Sequence, residues 1–138
     1  MDRISAAKRS WNMSRIKNAD TKPELAVRFL LHRLGYRFRL HRKDLPGKPD
    51  IVLPRLMTVV LVHGCYWHRH PGCRYAYTPK SRTEFWKAKF RRNQQRDIIV
   101  RSELSKLGWR VLVVWECETK DMDSLTVRLR NELMGTDL

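Results

Sequence analysis

Four residues able to bind a soft metal constrain this chain more than any other feature in it. Cys65, His70 and Cys73 lie in one short segment as C-x4-H-x2-C, and Cys117 stands far downstream. Tetrahedral zinc takes four thiolate or imidazole ligands, and a loop giving three with one distant residue giving the fourth makes a closed, structural site. The alternative is three free cysteines, with Cys117 acting as a small core residue. Loop cysteines set among Gly64, His70, Pro71 and Gly72 are poor core material, which favours the metal. A compatible fold has to bring residue 117 back to the 65–73 loop.

Charge narrows the partner. Lys and Arg number 29 against 14 Asp and Glu, a net +15 over 138 residues, which points to a polyanion rather than a small neutral substrate. Hydrophobic residues make up 42% of the chain and there are five Trp, enough for a real core and too many for disorder. Unbroken apolar stretches such as Val59 to Val62 are far too short to cross a bilayer. Met1-Asp2-Arg3-Ile4-Ser5 has no secretory character, and three cysteines do not pair into a disulfide framework. The expectation is a cytoplasmic protein with one domain over 21–138, preceded by a basic segment 1–20. That segment reads either as an arm that orders on a partner or as a short packed helix.

Thr21-Lys22-Pro23-Glu24 has the makings of a helix start: a capping Thr, a first-turn Pro and a capping-box Glu. Leu25, Val27, Phe29, Leu30, Leu31 and Leu34 then predict a wide apolar face, and Gly35 a stop. Tyr36 to Leu40 alternates like a half-buried strand. Asp44-Leu45-Pro46-Gly47 is a turn, and Ile51–Leu53 and Met57–Val62 read as two further strands. A long helix is predicted from about Arg82 to Leu107, although its middle lacks an apolar stripe. The apolar run Trp109–Trp115 suits a buried central strand, and Leu125, Leu129 and Leu133 mark an amphipathic C-terminal helix. The order α-β-β-β-α-β-α is that of a mixed α/β sandwich.

Several polar residues sit where chemistry is done. Asp50, after Gly47-Lys48-Pro49 and at the mouth of a strand, suits a divalent-metal ligand, although Pro-Asp is also common turn chemistry. His63 and His68 flank Gly64-Cys65-Tyr66-Trp67 and suit phosphate contact or general-base work, since imidazole titrates near neutrality. Either also competes with His70 for a place on zinc. Adjacent Tyr66 and Trp67, with Trp86 and Lys89 on the basic helix, suit stacking on bases; core packing is the alternative for one of the pair. Asp97, among Arg92, Arg96 and Arg101, is either an ion-pair partner or the acid that orients a histidine.

These segments together resemble the very short patch repair (Vsr) DNA mismatch endonucleases, a branch of the restriction-endonuclease-like nucleases. The resemblance runs in order through Met13-Ser14-Arg15-Ile16, Thr21 to Glu24, Asp44 to Asp50, Val62-His63-Gly64-Cys65-Tyr66-Trp67-His68, Thr83 to Trp86, Asn93, Arg96-Asp97, Gly108 to Val111 and Trp115-Glu116-Cys117. It implies an α/β fold with a mixed central sheet flanked by helices and a zinc-stapled loop. The implied activity is a Mg²⁺-dependent nick 5′ of the thymine in T·G mismatches left by 5-methylcytosine deamination. By the same resemblance Asp50 and the Val62 carbonyl would hold Mg²⁺, and His68 would be the base, supported by Asp97. His63 would contact the scissile phosphate region, and Glu24 would add a further acid unless its capping role explains it. Cys65, His70, Cys73 and Cys117 match the zinc ligands. Tyr66, Trp67 and Trp86 match an aromatic wedge, while Lys89 and the arm, Met13 included, are candidates for groove contacts. The wider superfamily pairs its Asp with a Glu-x-Lys on the next strand; Thr58-Val59-Val60-Leu61-Val62 has none, as in the Vsr branch.

The resemblance also suggests contact with the repair proteins MutL and MutS and a place near the nucleoid. One catalytic unit per chain favours a monomer making single-strand nicks. Two rivals remain at this stage: a non-catalytic zinc-stapled damage sensor, and a restriction-type nuclease cutting matched DNA.

Overall fold

The computed structural model describes residues 20–134; Met13 and nearly all of the basic segment 1–20 lie outside the described residues. The elements are α1 (Lys22–Arg33), β1 (Arg39–Leu40), β2 (Ile51–Leu53), β3 (Thr58–His63), α2 (Thr83–Lys106), β4 (Arg110–Trp115) and α3 (Met122–Met134), with 3₁₀ turns at Pro54–Leu56 and Glu116–Lys120. The element order is the expected one.

Local chemistry sets the helix ends. The Thr21 hydroxyl accepts the Glu24 N–H at 3.3 Å, closing the first turn of α1. Gly35, at φ +89°, then ends it: the Gly35 N–H reaches the His32 carbonyl and the Tyr36 N–H the Leu31 carbonyl. Gly108 (φ +91°) repeats this device after α2, with bonds from Gly108 to Ser105 and from Trp109 to Leu104.

The described strands form a mixed sheet in the order β1-β2-β3-β4, antiparallel except for the parallel pair β3–β4. Parallel neighbours need a long crossover, and α2 provides it. Alternation across the pleat divides the core in two. Ile51, Leu53, Val60, Leu112 and Val114 face Val27, Leu30 and Leu31 of α1 and Leu125, Leu129 and Leu133 of α3. Val52 and Val59 face Leu104 of α2 on the other side. Burying each of those leucines contributes roughly 1.5–3 kcal/mol. The result is an α/β architecture with helices on both faces of a mixed sheet.

Three expectations are corrected. β4 is not central but the last strand of the described sheet; its apolar run is explained by β3 alongside and helices above and below. The strand expected over Tyr36–Leu40 pairs only at Arg39 and Leu40, while Tyr36 and Phe38 pack unpaired against the larger core. Leu25 and Phe29 are exposed, so the buried face of α1 is narrower than its apolar content implied.

Candidate active site and metal centre

Asp50 immediately precedes β2, and His63 closes β3. Because those strands run antiparallel, both residues lie at one end of the sheet. A cleft of about 600 Å³ opens there, lined by Glu24, Lys48, Asp50, His63, His68 and Asp97 among others. The Asp50 carboxyl is pushed up to about 6, mainly by burial and then by the negative charge of Glu24; a hydrogen bond from the Val62 main chain acts the other way. Glu24 is only 4% exposed. Its Oε2 accepts the Asp20 N–H at 2.8 Å, rather than the N–H of the cap residue Thr21, and lies 3.4 Å from the Arg28 guanidinium. Glu24 thus serves the helix start and charges the cleft at once.

The other wall comes from the loop after β3 and the middle of α2. His68 Nδ1 lies 2.7 Å from Asp97 Oδ2, with 30% and 21% of the two side chains exposed. A proton on Nδ1 donated to the carboxylate leaves the Nε2 lone pair free to accept another. The His63 ring stacks on His68 with centroids 3.9 Å apart and planes 6° from parallel. Burial, reinforced by the neighbouring His68 charge, pushes His63 down to about 4, so it is neutral at physiological pH. Asp97 and Arg96 line the cleft from the stretch of α2 that lacks an apolar stripe. That stretch faces chemistry rather than core.

The sheet register also assembles the sulfur cluster. His63 pairs with Trp115 in parallel, so Cys65 and Cys117, each two residues further along, arrive side by side. The Cys117 N–H donates to Cys65 Sγ at 3.4 Å, and His70 Nδ1 is 3.4 Å from Cys117 Sγ and 3.7 Å from Cys65 Sγ. With Cys73, one ligand atom from each of the four lies within 4.8 Å of all the others. His70 stacks on Trp115, with centroids 4.2 Å apart, which orients its ring. Three thiols and an imidazole converging this closely suit a soft tetrahedral cation. His63 and His68 belong to a separate group with Asp97.

The aromatic residues form a cluster apart from both halves of the core. Tyr66 meets Trp67 and Phe90 edge-on at centroid distances of 4.9 and 5.3 Å, and Trp86 lies 5.9 Å from Phe90. Trp67 is 37% exposed, whereas Tyr66 and Trp86 are half-buried. The Lys89 ammonium stands 5.1 Å from the Trp67 ring centre and 5.7 Å from that of Trp86. Two participants escaped the sequence reading. Phe90, buried beneath the cluster, looked like one more apolar helix residue. Arg69 donates to the carbonyls of Ala76 (2.7 Å) and Tyr77 (2.9 Å) and to the Thr78 hydroxyl, and lies 4.0 Å over the Phe90 ring. Its position between His68 and His70 was the one signal available in the sequence, and in so basic a chain an arginine stands out little.

A buried acid beside a second carboxylate, facing a His–Asp pair across a cleft that also holds Lys48 and Arg96, is an arrangement that hydrolytic acid–base chemistry can use. Sequence comparison carries this further. Residues 1–74 match the family described as DNA mismatch endonuclease Vsr. The chain is 52% identical over 132 residues to the type II nicking enzyme V.XorIIP of Xanthomonas oryzae pv. oryzae, covering 96% of each protein. It is 47% identical over 120 residues to the type II nicking enzyme V.NmeAIP of Neisseria meningitidis, covering 87% of this chain and 85% of that one. To the DNA mismatch endonuclease Vsr of Escherichia coli it is 43% identical over 120 residues, covering 87% and 76%. The chain belongs to the Vsr family and is a DNA-nicking endonuclease. Among the described residues no helix is long and apolar enough to cross a membrane.

Proposed function

We propose that the protein nicks duplex DNA 5′ of the thymine in a T·G mismatch, using a divalent cation, and that the Cys65–His70–Cys73–Cys117 cluster holds a structural zinc. The observation that carries the proposal is the placement of the 2.7 Å His68–Asp97 pair and the carboxylates of Asp50 and Glu24 in one cleft, beside an exposed Trp67. A damage sensor without catalysis would have no use for that dyad.

Asp50 and Glu24 fit a cation, because two neighbouring carboxylates, both withdrawn from solvent, repel each other unless a positive charge joins them. Asp50 and the Val62 main-chain carbonyl would hold Mg²⁺, which when bound would supply Lewis-acid stabilisation of the phosphate. In the hydrolysis, His68 Nε2 takes a proton from the attacking water, whose oxygen bonds to phosphorus as one ester P–O bond breaks and the departing oxygen takes up a proton from solvent. Asp97 holds the imidazole in the accepting tautomer and stabilises the imidazolium that forms. Neutral His63, stacked on His68, keeps that ring from turning and faces the scissile phosphate.

Selectivity for the mismatch comes from the aromatic cluster. A T·G wobble pair stacks less well than a matched pair, and wedge insertion costs a few kcal/mol per step, least at a defect. Phosphate contacts from the basic surface are common to all duplexes. The test is nicking of end-labelled duplexes carrying T·G or C·G at one position, with Mg²⁺ or with chelator. Mg²⁺-dependent cutting of the T·G duplex alone is expected; equal cutting of both, or cutting in chelator, refutes the reading.

A further inference from the structure

We propose that Lys48 supplies the positive charge that offsets the extra negative charge on the phosphate as the strand is cut. This rests on the nicking activity of the family, not on the choice of a T·G substrate. Cationic side chains commonly join metal ions in stabilising a phosphoryl transition state, and here β3, the strand that leads into the cleft, carries no lysine from Thr58 to His63. Lys48 is the one lysine among the residues lining the cleft, where Arg96 is the other permanent cation. Among the described residues Lys48 forms no ion pair, and the cations acting on Asp50 are His41 and Arg28. Its ammonium is therefore uncommitted.

The backbone gives the second argument. Lys48 sits at φ +48°, a left-handed conformation unfavourable for any residue with a side chain, and Pro49 crowds it further. Such strain persists only where the surroundings over-determine it. They do so here. The Lys48 N–H is tied to the Leu45 carbonyl at 3.1 Å, and Gly47 (φ +72°) presses so closely on Val100 that a Cβ would lie 2.5 Å from Val100 Cγ1. Val100 is one turn beyond Asp97 on α2, so the loop is seated on the helix that carries the dyad. Asparagine or glycine would sit at position 48 with less strain, yet the strained position holds a cation, on the rim of the cleft that Asp50, His68 and Asp97 also line.

That contrast gives a test in which stability and activity move apart. Lys48→Asn removes the charge and eases the strain; Lys48→Arg keeps both. Melting temperature, duplex affinity without divalent metal and single-turnover nicking at saturating DNA are measured on a T·G duplex and on supercoiled plasmid. Lys48→Asn is expected to melt at or above the wild-type temperature and to lose affinity by about tenfold or less, as for one phosphate contact. Its nicking is expected to slow by about 10²–10³-fold, the span for losing one charge-stabilising donor. Lys48→Arg should nick close to the wild-type rate. Wild-type nicking by Lys48→Asn, or an Arg variant as slow as the Asn variant, overturns the proposal. Plasmid nicking by a wild-type protein inert on T·G overturns only the mismatch reading, and the plasmid rates then decide Lys48. Wild-type protein that cuts neither overturns both.

Discussion

Replacing Asp97 with asparagine removes one charge from the proposed catalytic cleft while leaving a side chain of the same shape. His68 and Asp97 meet at 2.7 Å, so the charge centres of an imidazolium and the carboxylate are about 4 Å apart. At an effective dielectric of about 20 their attraction is about 4 kcal/mol. Partial exposure of both groups, 30% and 21%, screens that to about 2–3 kcal/mol. The attraction acts only once His68 has taken the proton, so the loss falls on the barrier: about 30–150-fold in rate. Asp97→Asn should therefore slow single-turnover nicking of a T·G duplex by that factor, with duplex affinity nearly unchanged. His68→Ala, which removes the base itself, should cost about 10²–10⁴-fold. Asp97 acts through His68, so the double variant should be no slower than His68→Ala alone. Losses that multiply in the double variant would show that Asp97 acts independently of His68. An Asp97→Asn protein nicking at the wild-type rate would refute the dyad.

Gly47→Ala should destabilise the fold by about 1–3 kcal/mol, as overpacking does, measured by urea denaturation. Trimming the obstacle with Val100→Ala in the same chain should recover only part of that, because φ +72° still disfavours a side chain. Cys117→Ala should lower the zinc content found by elemental analysis from about one per chain and reduce the melting temperature; zinc-free wild-type protein purified without chelator would contradict the assignment. Because burial and the charge of Glu24 push the Asp50 carboxyl up to about 6, its proton competes with a cation below that pH. Nicking at limiting Mg²⁺ should therefore fall as the pH drops through 6 and recover with added Mg²⁺. Trp67→Ala should weaken T·G binding about tenfold, one stacked aromatic being worth roughly 1–3 kcal/mol, while matched-duplex affinity changes little in a competition assay.

The helices were legible because their ends are written in local chemistry: Thr21 and Pro23 at the start of α1, Gly35 and Gly108 at the two stops, and Leu125, Leu129 and Leu133 at helical spacing. The place of β4 was not, because apolarity reports how many layers cover a strand and not how many strands flank it. Val111 meets the α2 side and Leu112 the α1–α3 side, so an edge strand acquires the composition of a central one. Leu25 and Phe29 misled for a related reason, since periodicity counts every apolar residue alike whether or not a partner layer reaches it. In the cleft, Asp50 and His68 could be singled out by chemical type at a strand mouth and in a loop, Asp97 as an acid set among arginines in mid-helix, and Cys117 by its chemistry. Arg69 and Phe90 needed coordinates, because each acts through contacts across the 63–80 segment and α2 that no local pattern encodes.

The parallel register His63–Trp115 has a consequence for how the enzyme comes into being. Every cleft side chain from Glu24 to Asp97 is synthesised before β4, the strand that pairs with β3 and brings Cys117 beside Cys65. Until that strand arrives, the 65–73 loop lacks the fourth member of its sulfur and imidazole cluster. Pairing segments so far apart in sequence carries a loop-closure cost that local contacts do not. The last strand of the described sheet to be made is thus also the one that completes the sulfur cluster, so Cys65, His70 and Cys73 wait on the C-terminal quarter of the chain for their fourth member.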